Sequence, residues 1–212
     1  MTKYFTCLLL AGALSALAAD PKPVYENSFE KAAVGSVPED MLVLDGAFAV
    51  KEEGGSKFLE LPGAPLETYG VLFGPTETNG LSVTARIHGT GKGRRFPTFG
   101  VGLNGVGGHR LLISPGKKLL ELYKGDGVVA TVPFTWASDS WTMFRLQSRK
   151  TKDGEFKIEG RVWKQGDAEP AEWQIAHTEM TVTPAGRPSL WGNPYAGTAI
   201  RYDDLRVTKA AE

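Results

Sequence analysis

The sequence has almost no cysteine, and its single thiol, Cys7, lies in an apolar run close to the first residue. The chain beyond that run therefore has no disulfide, so its stability must come from a hydrophobic core or from a bound metal. The stretch after residue 19, about 190 residues, is long enough for one sizeable core and short for two. We therefore expect a single domain over residues 20–212.

An excess of charge of one sign is also missing, since 24 Lys and Arg residues balance 24 Asp and Glu residues. A chain without a basic surplus has little attraction for polyanions, which argues against a nucleic-acid partner. After the N-terminal run, the sequence contains no apolar stretch long enough to cross a bilayer as a helix. We therefore expect no membrane span in the mature chain.

The first 19 residues have the organisation of a cleaved secretory signal. Lys3 supplies a positive start, residues 5–14 are apolar, and Ala16 and Ala18 are the small residues that a signal peptidase requires. A membrane anchor is the alternative, but the apolar run is short and no positive flank follows it. The sequence thus predicts export to the periplasm or the extracellular space.

The rest of the chain is rich in turn formers and strand patterns, with 26 Gly and 13 Pro residues. Turn residues recur about every 8–12 residues, the spacing of sandwiches and barrels, and long amphipathic helical stretches are missing. Apolar and polar residues alternate over residues 81–88, 99–103 and 156–162, as in strands with one buried face. A hairpin over residues 111–123, a strand over 141–149 and a polar loop over 164–172 complete the pattern, which predicts an all-β, two-sheet antiparallel sandwich.

The two ends of the domain resemble a known fold. The opening segment Asn27-Ser28-Phe29-Glu30 and the closing segment Tyr202-Asp203-Asp204-Leu205-Arg206-Val207 resemble the terminal strands of carbohydrate-binding jelly rolls and of concanavalin A-like, laminin-G-like domains. This resemblance implies a jelly-roll topology of the lectin and glucanase type, with the terminal strands side by side.

Segments in the middle of the chain resemble a narrower group. The quoted segments are Phe73-Gly74-Pro75, the run from Gly93 to Gly105, Arg161-Val162-Trp163 with Glu169 to Trp173, and Gly186-Arg187-Pro188 with Leu190-Trp191-Gly192. They look like exported bacterial laminin-G-like proteins of unassigned function, over nearly all of the mature chain. The resemblance implies the fold and no particular activity.

Three carboxylates on the predicted terminal strands are candidate metal ligands. Glu30, Asp203 and Asp204 offer the hard oxygens that Ca²⁺ prefers, and the resemblance implies a structural calcium near these strands. The alternative is that they pair with cations, since Arg201 and Arg206 flank the two aspartates. The residue pattern of a dedicated calcium loop is missing.

No recognised catalytic motif occurs in the sequence. The E-x-D-x-E spacing of concanavalin A-like glucanases is missing, and Glu121 stands alone between two leucines. Glu155 and Glu159 share a predicted strand face with Lys157 and Arg161, which favours a solvated, charge-balanced surface. The three histidines have no metal-ligand spacing, and no Gly-x-Ser-x-Gly elbow is present.

Aromatic side chains offer a better functional hypothesis than any titratable group. Sugar rings stack on Trp and Tyr while polar neighbours bond their hydroxyls. Candidate ligand-binding residues are Trp191, Asn193 and Tyr195 in one segment, Trp136 after a predicted strand, and the pair Arg94 and Arg95. Each also has a structural interpretation, because tryptophans often pack over a core and arginine pairs often serve structure.

The sequence therefore predicts an exported, non-catalytic domain that binds a glycan on a concave sheet face or on rim loops. Two alternatives stay open. One is a carbohydrate-active hydrolase or lyase with an unfamiliar active site, and the other is a structural envelope protein with protein partners. A binder requires an exposed aromatic beside polar groups in a groove, whereas an enzyme requires facing titratable groups with shifted pKa values.

Overall fold

The computed structural model describes residues 22–78, 80–152 and 154–210, and it arranges them as two antiparallel β-sheets. The predicted signal at residues 1–19 lies outside the described residues. Sheet A runs in the order β13-β12-β11-β6-β15-β4-β3, with β1 also paired to β15. Its strands are β1 (Tyr25–Asn27), β3 (Ala49–Glu53), β4 (Ser56–Leu61), β6 (Leu81–Gly89), β11 (Ser140–Lys152), β12 (Glu155–Lys164), β13 (Ile175–Glu179) and β15 (Ile200–Lys209).

Sheet B has seven strands in the order β10-β9-β8-β7-β14-β5-β2. They are β2 (Leu42–Asp45), β5 (Tyr69–Leu72), β7 (Thr98–Leu103), β8 (His109–Ser114), β9 (Leu119–Lys124), β10 (Gly127–Pro133) and β14 (Ser189–Asn193). Together the sheets confirm the predicted all-β sandwich. Within the described ranges, the chain has no helix with the length and apolar character that a membrane span requires.

Apolar and polar residues alternate along these strands, and the apolar faces of the two sheets pack against each other. Leu81, Val83, Ala85 and Ile87 of β6 are buried, as are Phe99, Val101 and Leu103 of β7. Because successive strand residues point to opposite faces, the intervening residues of every strand form the outer face of each sheet. The two outer faces are therefore the surfaces on which a functional site can be built.

The terminal strands lie side by side, as the jelly-roll resemblance implies. Tyr25 pairs with Val207 and Asn27 with Leu205, while the other half of β15 pairs with β4. Between Asp203 and Arg206 the register of β15 against β6 shifts, and Asp204 has a φ of 48°. At this β-bulge, the side chains of Asp203 and Asp204 both face Arg86.

The hairpin predicted over residues 111–123 is formed by β8 and β9, and it builds half of the candidate site. Arg110 pairs with Tyr123 and Leu112 with Glu121 across the two strands. Leu111, Ile113, Leu120 and Leu122 fill the core. The alternate residues Arg110, Glu121 and Tyr123 consequently face outward from sheet B.

A buried tyrosine joins the two sheets beneath the site. The hydroxyl of Tyr202 in β15 donates a hydrogen bond to the carbonyl oxygen of Trp191 in β14, at 3.0 Å. Gly192 is required there, because a Cβ at this position would lie 2.4 Å from the Tyr202 hydroxyl. The contact fixes the backbone of β14 directly below the outward-facing Trp191.

Candidate functional site

The outer face of sheet B carries a groove of about 580 Å³. Outward residues of β7, β8, β9 and β14 form its floor, and the loops before β5 and β7 form its sides. Side chains of Thr98, Arg110, Lys117, Tyr123, Trp191 and Asn193 line it. Most ligand sites are concave surfaces with a few placed polar groups, which makes this groove the leading candidate.

Trp191 lies flat in the floor because the neighbouring strands carry glycine opposite it. Trp191 pairs with Gly70 of β5 and Gly100 of β7. A Cβ on Gly70 would lie 2.9 Å from the indole ring, and one on Gly102 would lie 2.9 Å from Nε1. The indole Nε1 donates a hydrogen bond to Ser189 Oγ at 2.7 Å, which fixes the orientation of the ring.

Arg110 covers the upper side of this ring. Its guanidinium lies 4.7 Å from the centre of the Trp191 ring and 5.5 Å from that of Tyr123, a double cation–π arrangement. The guanidinium also donates to the carbonyl of Gly125 and to Asp126 Oδ1, the latter at 3.1 Å. As a result Trp191 is only 5% exposed and Arg110 only 7%.

A buried carboxylate, Glu121, lies along the same side of the groove. It accepts hydrogen bonds from Ser114 Oγ, from Lys117 Nζ at 3.0 Å and from Tyr123 OH at 3.2 Å. The bond to Glu121 raises the pKa of Lys117, and burial raises the pKa of Tyr123. Both groups therefore keep their protons at neutral pH.

The opposite side of the groove combines amide, hydroxyl and apolar groups. Asn193 Nδ2 donates to Thr68 Oγ1 at 2.7 Å. Leu66, Phe96 and Val106 stand at the edge and are exposed by 58%, 36% and 57% respectively. These apolar side chains beside the polar floor suit a ligand that has both apolar and polar groups.

The structure brings three predicted ligand residues together in this groove, namely Trp191, Asn193 and Tyr195. Arg95 lies at its end, where Nη1 donates to the carbonyl of Ala196 at 3.5 Å. Arg94 is exposed in the same turn, which is closed by backbone hydrogen bonds between Lys92 and Arg95. Ligand binding by these residues stays a prediction, but their positions are consistent with it.

Trp136 lies elsewhere. It lines a separate cleft with Phe134, Trp163 and Asp167, and its ring packs against the core residue Phe99 at 5.6 Å. It therefore does not share the groove of Trp191, and its contacts are those of the structural interpretation.

Sequence reasoning missed Arg110, Lys117 and Tyr123 as groove residues, and Glu121 as the carboxylate that bonds two of them. The signal was present in the hairpin, since the register across its turn places Arg110, Glu121 and Tyr123 on the face opposite the core residues Leu111, Leu120 and Leu122. Glu121 stands alone between two leucines in the sequence, but Tyr123 is its neighbour two residues along the same strand face, and Ser114 and Lys117 reach it from the turn. Trp191 could not be linked to Arg110 without the pairing of β14 with β7.

The predicted calcium ligands do not form a fitting metal site. Asp203 Oδ2 pairs with Arg86 at 2.5 Å and Asp203 Oδ1 accepts the backbone N–H of Asp204 at 2.7 Å, so both oxygens are engaged. Asp204 also faces Arg86, and Glu30 accepts bonds from Ser56 and Lys57. Among the residues described, no three His, Cys, Asp or Glu side chains group as metal ligands. Calcium stays a prediction, and these contacts weigh against it.

The outer face of sheet A is charge-balanced, as predicted, although Glu159 is buried and not solvated. Glu159 accepts from Gln147 at 2.7 Å and from Arg149 at 3.0 Å, and Lys157 lies 3.2 Å away. Hydrogen bonds from Arg149, Gln147 and Lys157 outweigh burial and lower the pKa of Glu159. Such a fully engaged carboxylate serves structure and has no free oxygen for chemistry.

Solved structures with the same architecture carry carbohydrate-related names. A carbohydrate-binding module, CBM66 from Bacillus subtilis, has 11% identity and a TM-score of 0.55 over 80% of this chain and 96% of that module. The carbohydrate recognition domain of Emp47p has 11% identity and a TM-score of 0.59 over 92% and 99%. The β-glucanase of Bacillus licheniformis has 12% identity and a TM-score of 0.54 over 89% and 99%.

The fold is a concanavalin A-like jelly roll. No protein-family model matches the chain, and no curated protein matches its sequence. At identities this low the likeness establishes the jelly roll and not an activity. The narrower resemblance to laminin-G-like proteins stays a prediction.

Proposed function

We propose that this jelly roll is an exported, non-catalytic domain that binds a glycan in the groove on sheet B. The observation that carries the proposal is the floor of the groove, where Arg110 lies between the rings of Trp191 and Tyr123. The half-buried ring of Tyr123 beside directed hydrogen-bonding groups matches a sugar, which has C–H faces and hydroxyl edges.

The groove offers hydrogen-bonding groups of both kinds along its length. Arg110, Lys117 and Asn193 are donors, Asp126 is an acceptor, and the hydroxyl of Tyr123 can act as either. Because Arg110 covers Trp191, a sugar contacts the floor through this guanidinium or displaces it from the indole. The exposed side chains of Phe96 and Leu66 supply apolar contacts at the edge.

Two neighbours support the proposal by their names alone, since CBM66 is a carbohydrate-binding module and the Emp47p domain a carbohydrate recognition domain. They share the sandwich on which such grooves form. The shared fold favours a glycan ligand, but the proposal rests on the residues of this groove.

A glycan-array screen of the purified protein tests the proposal. We expect reproducible binding that the double variant Asn193→Ala/Tyr195→Ala weakens at least about tenfold. Trp173→Ala is the matched control, because Trp173 stacks on Arg161 at 3.8 Å away from the groove. A blank array with correctly folded protein, or equal loss in both variants, would contradict glycan binding in this groove and favour a structural role with protein partners.

A hydrolase or lyase is the second candidate, and one observation favours it: Glu121 is a carboxylate buried behind the groove residues Lys117 and Tyr123, both of which bond it. The raised pKa values of Lys117 and Tyr123 disfavour both as bases at neutral pH, which supports binding over proton abstraction. Incubation with each bound glycan should give no shortened product. Product formation that Glu121→Gln abolishes would replace the binding proposal with an enzymatic one.

Export is tested separately. Sequencing the N-terminus of the protein recovered from its producing cell should show cleavage after Ala18 or Ala19, as the small residues there require. An intact Met1 on all of the protein would contradict the signal peptide.

A further inference from the structure

One end of the groove carries positive charges that the protein leaves unpaired. Lys92, Arg94 and Arg95 form no ion pair with any carboxylate in residues 22–78, 80–152 or 154–210. All three are exposed in one tight turn, closed by two backbone hydrogen bonds between Lys92 and Arg95 at 2.9 and 3.1 Å. Gly93 has a φ of 64°, which glycine adopts without strain, so this tight turn forms at no steric cost.

These charges differ from the other arginines of the molecule. Every arginine on a strand faces a carboxylate, namely Arg86, Arg110, Arg145, Arg149, Arg161, Arg201 and Arg206. Arg187 instead donates to the carbonyls of Gly74 and Asp40. In a chain whose charges sum to zero, unpaired guanidinium groups concentrated in one turn are therefore a local exception.

The turn adjoins the groove on two sides. It leads directly into Phe96, which lines the groove, and Arg95 donates to the carbonyl of Ala196, the residue after Tyr195. The charges inside the groove cancel, because Lys117 pairs with Glu121 and Arg110 with Asp126. Acids near the turn include Glu67, between Leu66 and Thr68, and Asp139, which accepts a hydrogen bond from Thr90 at 3.3 Å, so the three positive charges outnumber these two acids.

We infer that the ligand is an acidic glycan whose carboxylate or sulfate groups are bound by Arg94 and Arg95 at this end of the groove. The inference rests on the proposed glycan-binding function. Guanidinium groups fit carboxylate and sulfate oxygens in a bidentate manner, and exposed ones keep the mobility needed to meet them. Attraction between exposed charges is screened by salt, so the preference is strongest at low ionic strength.

Matched pairs of glycans test this inference. Binding is measured for polygalacturonate and its fully methyl-esterified form, for sialyllactose and lactose, and for a sulfated galactan and its desulfated form. We expect the acidic member of at least one pair to bind about tenfold more tightly at low salt, and the preference to shrink at high salt.

Two double variants test whether the turn at Lys92–Arg95 causes the preference for acidic glycans. Arg94→Gln/Arg95→Gln should remove most of the acidic preference, while Arg94→Lys/Arg95→Lys should keep a large part of it. Lys22→Gln/Lys51→Gln removes two exposed positive charges elsewhere and should change nothing.

The outcomes separate this inference from the proposed function. Equal binding of both members of each pair, or an acidic preference that the Gln variants retain, overturns the acidic-ligand inference and leaves glycan binding intact. Absence of binding to every glycan, acidic and neutral, overturns both.

Discussion

On the outer face of sheet A, carboxylates lie against cations along the strands, whereas the outer face of sheet B holds flat rings and exposed hydrogen-bonding groups around a groove. Arg145 and Arg161 stand directly opposite each other in β11 and β12, and Glu169 bridges both at 3.0 Å. On sheet B, Arg110 pairs with the exposed Asp126 and lies over the rings of Trp191 and Tyr123 in the groove. The outer face of sheet A thus pairs its own charged groups, whereas the outer face of sheet B offers hydrogen-bonding groups to a ligand.

The difference comes from what stands across each strand pair. On sheet A, long polar and charged residues oppose one another, as Gln147 opposes Glu159 and Arg149 opposes Lys157. On sheet B, glycine opposes Trp191 on both sides, which lets the ring lie against the sheet with Arg110 over it. Side chains that fill their own face stabilise a sheet, while glycine beside a large ring makes a depression.

The largest expected effect comes from breaking the most buried ion pair of sheet A. Arg86→Met leaves Asp203, which is 1% exposed, without its cation. Burial already raises the pKa of Asp203 with Arg86 in place. We expect the free energy of unfolding to fall by about 3–5 kcal/mol in urea titrations, with glycan binding unchanged in the folded fraction.

The double variant Arg86→Met/Asp203→Leu is the control, since it removes both charges and should recover much of the loss. A loss below about 1 kcal/mol in the single variant would show that the pair contributes little to sheet A.

The line where the two sheets meet is sensitive to acid. His109 of β8 is fully buried, and neither ring nitrogen has a hydrogen-bond partner among the described residues. It faces Glu179 of β13 at 3.8 Å, with His177 and Lys124 nearby. Burial lowers the pKa of His109 from 6.5 to about 4. The neutral imidazole therefore belongs to the folded state, while the unfolded chain takes up a proton at the ordinary pKa.

Stability should consequently fall as the pH drops from 6.5 towards 4, by up to about 3 kcal/mol from His109 alone. Burial would raise the pKa of Glu179, but hydrogen bonds from Lys124 and Thr181 lower it to about 2, so its contribution is lost from 4.5 downward. Urea unfolding across this pH range measures the contributions of His109 and Glu179 to the free energy of unfolding. His109→Leu should flatten the upper part of the curve, and an unchanged slope in this variant would assign the acid sensitivity to other groups.

A smaller effect follows from adding one methyl group under the groove. Gly70→Ala places a Cβ 2.9 Å from the indole of Trp191 and should tilt the ring, at a cost of about 1–3 kcal/mol. Glycan affinity should fall together with stability. Gly116→Ala is matched to it, since a Cβ there meets nothing within 4 Å. Equal behaviour of the two variants would show that the flat ring does not shape the groove.

The smallest expected effect is that of a chelator. Because Asp203 has both oxygens engaged, EDTA should change the melting temperature by less than about 1 °C. A clear fall that added calcium reverses would establish a metal at Glu30, Asp203 and Asp204 in spite of these contacts.

Much of the fold could be predicted because its signals are local. Alternation located β6, β7 and β12, and the turn at Ser114-Pro115-Gly116-Lys117 located the β8–β9 hairpin. The site could be predicted only where one segment supplies it, as with Trp191, Asn193 and Tyr195. The contacts of Arg110 with Trp191 depend on strands far apart in sequence, and so does the pairing of Asp203 with Arg86. No spacing along the chain encodes them.

The most direct test of the central claim follows the indole N–H signals of the tryptophans by NMR during glycan titration. Trp191 lies in the groove on sheet B, whereas Trp141 and Trp173 stack on arginines of sheet A. Glycan binding should shift the signal of Trp191, whose N–H bonds Ser189, and leave those of Trp141 and Trp173 in place. Shifts confined to Trp141 or Trp173, with Trp191 unmoved, would contradict the groove as the binding site.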